Sequence, residues 1–203
     1  MVFTDEIQRN EECSMLVLEN LKRDLFFEMK AKNKEACIQL LNDFPVLLNE
    51  PLTSLGSTAF HRACFKNFLP LCYYLIEQGI DIQKKDNIHQ NAIHYASYSC
   101  SVEFIKHLHG LGLSLDVPDE NGRTPLLIAL NWNPSFDVVA YLLEQGADIN
   151  RETTVGESIF TQNHGFDYTH FLPYMDQFNE EHLKKFKAWR LKQLVEKGVS
   201  YVV

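Results

Sequence analysis

Eight histidines and five cysteines are the residues of this chain best able to hold a metal or move a proton. His89 and His94 lie five positions apart in "HQNAIHYA", beside Tyr95. A zinc site needs three or four nitrogen, sulfur or oxygen ligands at bonding spacing. Cys13, Cys37, Cys64, Cys72 and Cys100 include no C-x-x-C pair, and neither Cys64 nor Cys100 is spaced to supply a third ligand to these histidines. An odd cysteine count without pairing also argues against a disulfide framework and fits a reducing compartment. No Ser-His-Asp set or phosphate-binding loop is present. These residue types therefore predict no catalytic, cofactor or metal site. Something else must require a histidine at His94.

The requirement is a repeat. "TAFHRA" starts at Thr58, "NAIHYA" at Asn91 and "TPLLIA" at Thr124, in steps of 33 residues. The helix-ending glycines Gly79, Gly112 and Gly146 follow at 33 and 34, and Asp86 and Asp119 are again 33 apart. Within one unit, Thr58, Asn91 or Thr124 caps a short helix, and Pro125 fits the first helical position. Ala63, Ala96 and Ala129 leave room for a neighbouring helix. Asn67, Cys100 and Asn133 stand where that helix ends, a place for the left-handed conformation. A second helix follows, with apolar Val102, Phe104, Ile105 and Leu108 at helical spacing. A turn-rich crossing such as "VPDENGRT" leads to the next cap. One unit cannot bury its own apolar face, so neighbours must supply the core.

The pattern resembles the ankyrin repeat, with its T-P-L-H-x-A-A start and L-L-x-x-G-A-D-V-N ending; "LLEQGADIN" nearly reproduces the latter. The resemblance implies an all-α ankyrin-repeat solenoid of helix-turn-helix pairs joined by hairpin-like crossings. Residues 1–13 are expected to be an N-terminal tail, and 14–157 about four repeats that begin with a capping helix near 14–31 and a second helix near 34–42. Residues 158–203 are expected to form a degenerate fifth repeat, with an aromatic insertion ("HGFDYTHFLPYMDQF") and a C-terminal capping helix whose lysines face solvent. The family's histidine bonds back to its cap, which gives His61 and His94 a structural role. His89 stands at a turn tip where Gly56, Gly122 and Gly156 occur.

The family also presents variable inner-helix residues on its concave side. Here they are Phe65 and Lys66, Tyr98 and Ser99, and Asn131 and Trp132, with Arg62 and Tyr95 on the same helices. Aromatics in such a row form an interface stripe, or else fill gaps between repeats. Lys84, Lys85, His89, Glu120 and Arg123 add mixed charge at the turn tips, which fits protein recognition.

The composition agrees. A net charge of -8 disfavours nucleic acid and anionic membranes. The N-terminus is acidic where a secretory signal would be basic, and no run approaches the ~18 apolar residues of a membrane span. The expectation is a monomeric, cytoplasmic, non-enzymatic module without cofactors that binds another protein as an adaptor, an inhibitor or an effector delivered into a host cell. The rival readings place an enzyme site in the irregular 160–180 segment or make Asn150 a modification target.

Overall fold

The computed structural model describes the backbone of residues 2–132, 135–160 and 168–196, with side chains from 14 to 193 within those spans. The described residues are helices and turns, with no strand among them. Two compact units share the chain, residues 1–113 and 114–203.

The first unit begins with α1 (Val2–Ala31), which starts well before the position near residue 14 expected from sequence. It turns through Lys32 at φ +54° into α2 (Lys34–Asp43). Asn33 caps α2 by accepting the Ala36 N–H at 3.3 Å. A 3-10 turn, Pro45–Leu48, leads to the first crossing. Two helix pairs follow: α3 (Ala59–Phe65) with α4 (Leu69–Glu77), and α5 (Ala92–Ser97) with α6 (Val102–Gly110). Leu25 and Met29 of α1, Leu41 of α2, Phe60, Leu71, Ile93, Phe104 and Leu108 are buried. Each such side chain contributes about 1.5–3 kcal/mol by leaving water. Ala63 and Ala96, both at 0% exposure, let the helices come close.

The second unit repeats the pair as α7 (Pro125–Trp132) and α8 (Phe136–Glu144). Thr124 Oγ1 accepts the Leu127 N–H at 3.3 Å, and Pro125 opens the helix as its fixed φ allows. A 3-10 segment over Tyr168–Gln177 and helix α9 (Glu180–Glu196) follow. Phe171 and Phe186 are fully buried, and Phe178 stacks on Phe186 with centroids 5.5 Å apart. Tyr168, Phe171 and Phe178 of the aromatic insertion are thus core for the C-terminal helix, while Lys184 and Lys187 on that helix face solvent.

The crossings are built alike. The N–H groups of Gly56, His89, Gly122 and Gly156 donate to the carbonyls of Thr53, Asp86, Asp119 and Thr153 at 2.9, 3.1, 3.0 and 2.9 Å. All four donor residues have positive φ, between +62° and +78°. Successive tips are tied in each unit, by Asn87 N–H to Leu55 O at 2.8 Å and Thr154 N–H to Asn121 O at 2.9 Å. A Cβ on Gly56 would come within 2.4 Å of Asn87 Oδ1 and displace that side chain, and its φ of +78° already favours glycine. At His89 the chain uses a left-handed histidine instead, a backbone state that costs a non-glycine residue roughly 1 kcal/mol.

Candidate functional site

His61 and His94, the repeat's own histidines, are absorbed by the fold. Thr58 N–H donates to His61 Nδ1 at 3.2 Å, so Nε2 carries the ring proton and donates to Lys84 O at 2.9 Å. His61 therefore joins a helix cap to the crossing that leaves its own repeat. Burial holds its imidazole below the ordinary pKa of 6.5. His94 is fully buried, and its Nδ1 meets the Asn91 N–H at 3.3 Å and the Asn91 side chain at 2.8 Å. His89 is exposed at its turn tip. The two histidines of "HQNAIHYA" thus occupy different environments and share no site. Among the described residues no group of three or more His, Cys, Asp or Glu could hold a metal ion.

Cys100 departs from its expected left-handed helix end. It is only 1% exposed, has no positive φ, and its thiol donates to Cys64 O at 3.1 Å. Desolvation pushes the thiols of Cys64 and Cys100 far up, so neither is poised as a nucleophile. The left-handed helix end does appear at Asn67, φ +49°. Asn133 lies outside the described residues.

Asp86 supplies an unanticipated brace. One carboxylate oxygen accepts the Ile88 and Gln90 N–H groups at 2.9 and 2.8 Å, and the other accepts the Tyr95 hydroxyl at 2.6 Å. Tyr95 is 7% exposed and stacks on His61 with centroids 4.9 Å apart. Sequence reasoning put Tyr95 on the contact surface; its burial makes it a strut between crossing and helix. One repeat later Asp119 accepts the Asn121 and Arg123 N–H groups and then Arg123 Nε, each at 2.9 Å. The brace persists while its donor changes from a tyrosine to an arginine, which holds Arg123 back against the turn.

The remaining inner-helix residues in the first unit form one connected patch. Phe65 and Tyr98, both half-buried, meet edge to face at 5.4 Å across successive repeats. Arg62 lies over the Phe65 ring at 5.2 Å and Lys66 over the same ring at 5.3 Å. Ser99 donates its hydroxyl to Phe65 O at 2.7 Å, fixing the α3 end against the next repeat. The two lysines at the turn tip differ, since Lys84 Nζ donates to Asn49 O at 2.6 Å whereas Lys85 is exposed. In the second unit Trp132 is 67% exposed, Asn131 is half-buried and Glu120 is exposed. Phe26 and Lys30 of α1 were not expected at the site. Phe26 lies 4.9 Å from the Arg62 guanidinium, and α1 stands outside the period that exposed the other contacts.

Asn150 is committed to the C-terminal helix. Its amide donates to Gln177 O at 2.7 Å, and its oxygen accepts the Asn179 N–H at 2.8 Å and lies 3.1 Å from His182 Nδ1. Asn179 caps α9 by accepting the His182 N–H at 2.8 Å, so "NEEH" reuses the cap-and-histidine spacing of "NAIH". His182 Nε2 lies 3.4 Å from Glu152 Oε1. His170 stacks on Phe136 at 4.5 Å, and His164 lies outside the described residues.

The sequence matches known proteins. The family model for ankyrin repeats in three copies matches residues 85–153, and a single-repeat model matches residues 55–84. The chain is an ankyrin-repeat protein. Such repeats are generally protein-binding and typically non-catalytic modules. Among its relatives, human Ankyrin repeat and SOCS box protein 6 is 30% identical over 111 residues, covering 51% of this chain and 26% of that one. The Saccharomyces cerevisiae "Probable 26S proteasome regulatory subunit p28" is 36% identical over 98 residues, 48% of this chain and 43% of its own length. An intracellular phospholipase A2 of Caenorhabditis elegans is 27% identical over 146 residues, 68% of this chain and 14% of the relative. The chain thus spans a minor part of each. Among the described residues no helix is long and apolar enough to cross a membrane.

Proposed function

We propose that this chain is a non-catalytic module that recognises another protein through its inner-helix surface and turn tips, in the manner of an adaptor, an inhibitor or a delivered effector. The observation that carries the reading is the Phe65–Tyr98 pair, which stays only partly buried on helices whose Ala63 and Ala96 are fully buried. Tyrosine, tryptophan and arginine are the side chains most enriched in interface hot spots, and Tyr98, Trp132 and Arg62 are of these types. In the first unit the exposed Lys85 and His89 add turn-tip contacts, and the second unit offers the exposed Glu120 and Trp132 as contacts of its own. Net charge -8 favours a protein partner over a nucleic acid. The test is quantitative affinity capture from cell extract with wild type and with a Phe65→Ala, Tyr98→Ala, Trp132→Ala variant of unchanged thermal midpoint. Loss of the recovered partners supports the reading, and equal yield of the same partners contradicts it.

A further inference from the structure

Beside the Phe65–Tyr98 pair, the first unit contains a cavity of about 250 Å³ lined by Phe26, Met29, Lys30, Arg62 and Lys66. Its lining holds three cations and no acidic residue, in a chain with 27 acidic and 19 basic residues. Two lysines elsewhere do have counterions: Lys22 pairs with Glu19 and Glu50, and Lys185 with Glu181. Among the described residues none of Lys30, Arg62 and Lys66 has an ion pair. Arg62 is the informative member. Its guanidinium is set between the Phe26 ring at 4.9 Å and the Phe65 ring at 5.2 Å. Its Nε is buried without a hydrogen-bond partner. A partly desolvated cation lacking its counterion is costly, and a planar guanidinium held in one orientation is already arranged to receive a carboxylate.

We infer that this cavity receives an aspartate or glutamate side chain from the partner protein, gripped by Arg62 with Lys30 and Lys66 at its rim, while an adjacent apolar side chain of the same segment lies on Phe65 and Tyr98. The inference rests on the protein-binding reading and specifies the partner's chemistry. The volume supports it, since small-molecule sites run from roughly 300 to 1,000 Å³ and this one suits a side chain. Met29, 2% exposed, gives the cavity an adaptable apolar floor. Burial lowers the pKa of Arg62, a cost that an incoming carboxylate relieves.

A random dodecapeptide library displayed on phage, selected against the intact chain, tests this. Enriched peptides are then measured by fluorescence polarisation against wild type, Arg62→Gln, Arg62→Lys and a Lys30→Gln, Lys66→Gln double variant, all checked for an unchanged thermal midpoint. The expected peptides share an acidic residue next to an apolar one. Changing that acid to its amide weakens binding roughly 10- to 100-fold, as does Arg62→Gln. The two losses do not add when combined, because they remove one contact. Arg62→Lys loses part of the affinity, and the double lysine variant flattens its salt dependence. Enriched peptides that lack an acid and ignore Arg62→Gln overturn the cavity's assignment yet leave the protein-binding reading standing. Failure of the intact chain to enrich any peptide counts against both.

Discussion

Tyr95→Phe deletes one oxygen and leaves the ring that stacks on His61. The lost hydrogen bond is short, 2.6 Å from the hydroxyl to Asp86 Oδ2, and both residues are buried, at 7% and 4% exposure. Hydrogen bonds to charged groups are worth about 1.5–3 kcal/mol, and the carboxylate oxygen left behind has little water to replace the donor. The other oxygen keeps the Ile88 and Gln90 N–H groups, so the turn itself persists. The expected loss is therefore about 2 kcal/mol, read as a lower urea midpoint with unchanged slope. A cycle with Asp86→Asn should give a coupling energy above ~1 kcal/mol. Partner binding per folded molecule should not change, because the hydroxyl faces inward. A stability loss below ~0.5 kcal/mol, or weakened binding by a fully folded Tyr95→Phe protein, would refute the assignment of Tyr95 as a strut.

Three further outcomes are expected. Burial lowers the His61 pKa below 6.5, so the unfolded chain takes up its proton first; this contribution is complete above about pH 6.5 and is lost as pH falls below it. Urea midpoints should drop on acidification, and His61→Gln should be weaker throughout with a flatter pH profile. His89→Gly should hold stability or raise it by up to ~1 kcal/mol, since φ +62° suits glycine; a marked loss in calorimetry would contradict the turn's geometry. Asn150→Ala removes the oxygen and amide that meet Gln177, Asn179 and His182, and should speed amide hydrogen exchange in α9 by roughly 10-fold or more, leaving α3 to α6 unaffected.

The periodic part of the fold was legible in the residues because each mark answers a local demand. Threonine or asparagine before the short helices meets unpaired N–H groups, alanine allows close helix approach, and glycine at the crossing tips takes positive φ. His89 was readable as a turn-tip residue for the same reason, by its register with Gly56 and Gly122. What escaped were decisions made in three dimensions. Tyr95 and Tyr98 sit three apart at one short helix, yet a carboxylate nine residues upstream pulls the first inward. Cys100 lies in register with Asn67, but a neighbouring carbonyl at Cys64 accepts its thiol and buries it. Phe26 and Lys30 belong to α1, which carries no repeat signature, so no spacing rule could place them beside Arg62. The α9 cap at Asn179 repeats the N-x-x-H spacing of Asn91 and His94 but falls outside the 33-residue register, so the period did not point to it.

The central claim is that a partner protein covers the inner helices. Hydrogen exchange of the chain with and without a captured partner measures this directly. The account predicts slowed exchange over residues 59–66 and 92–99 and at the crossing tips around Lys85 and His89. Protection confined to the outer helices, residues 69–77 and 102–110, with none on the inner pair, would contradict it.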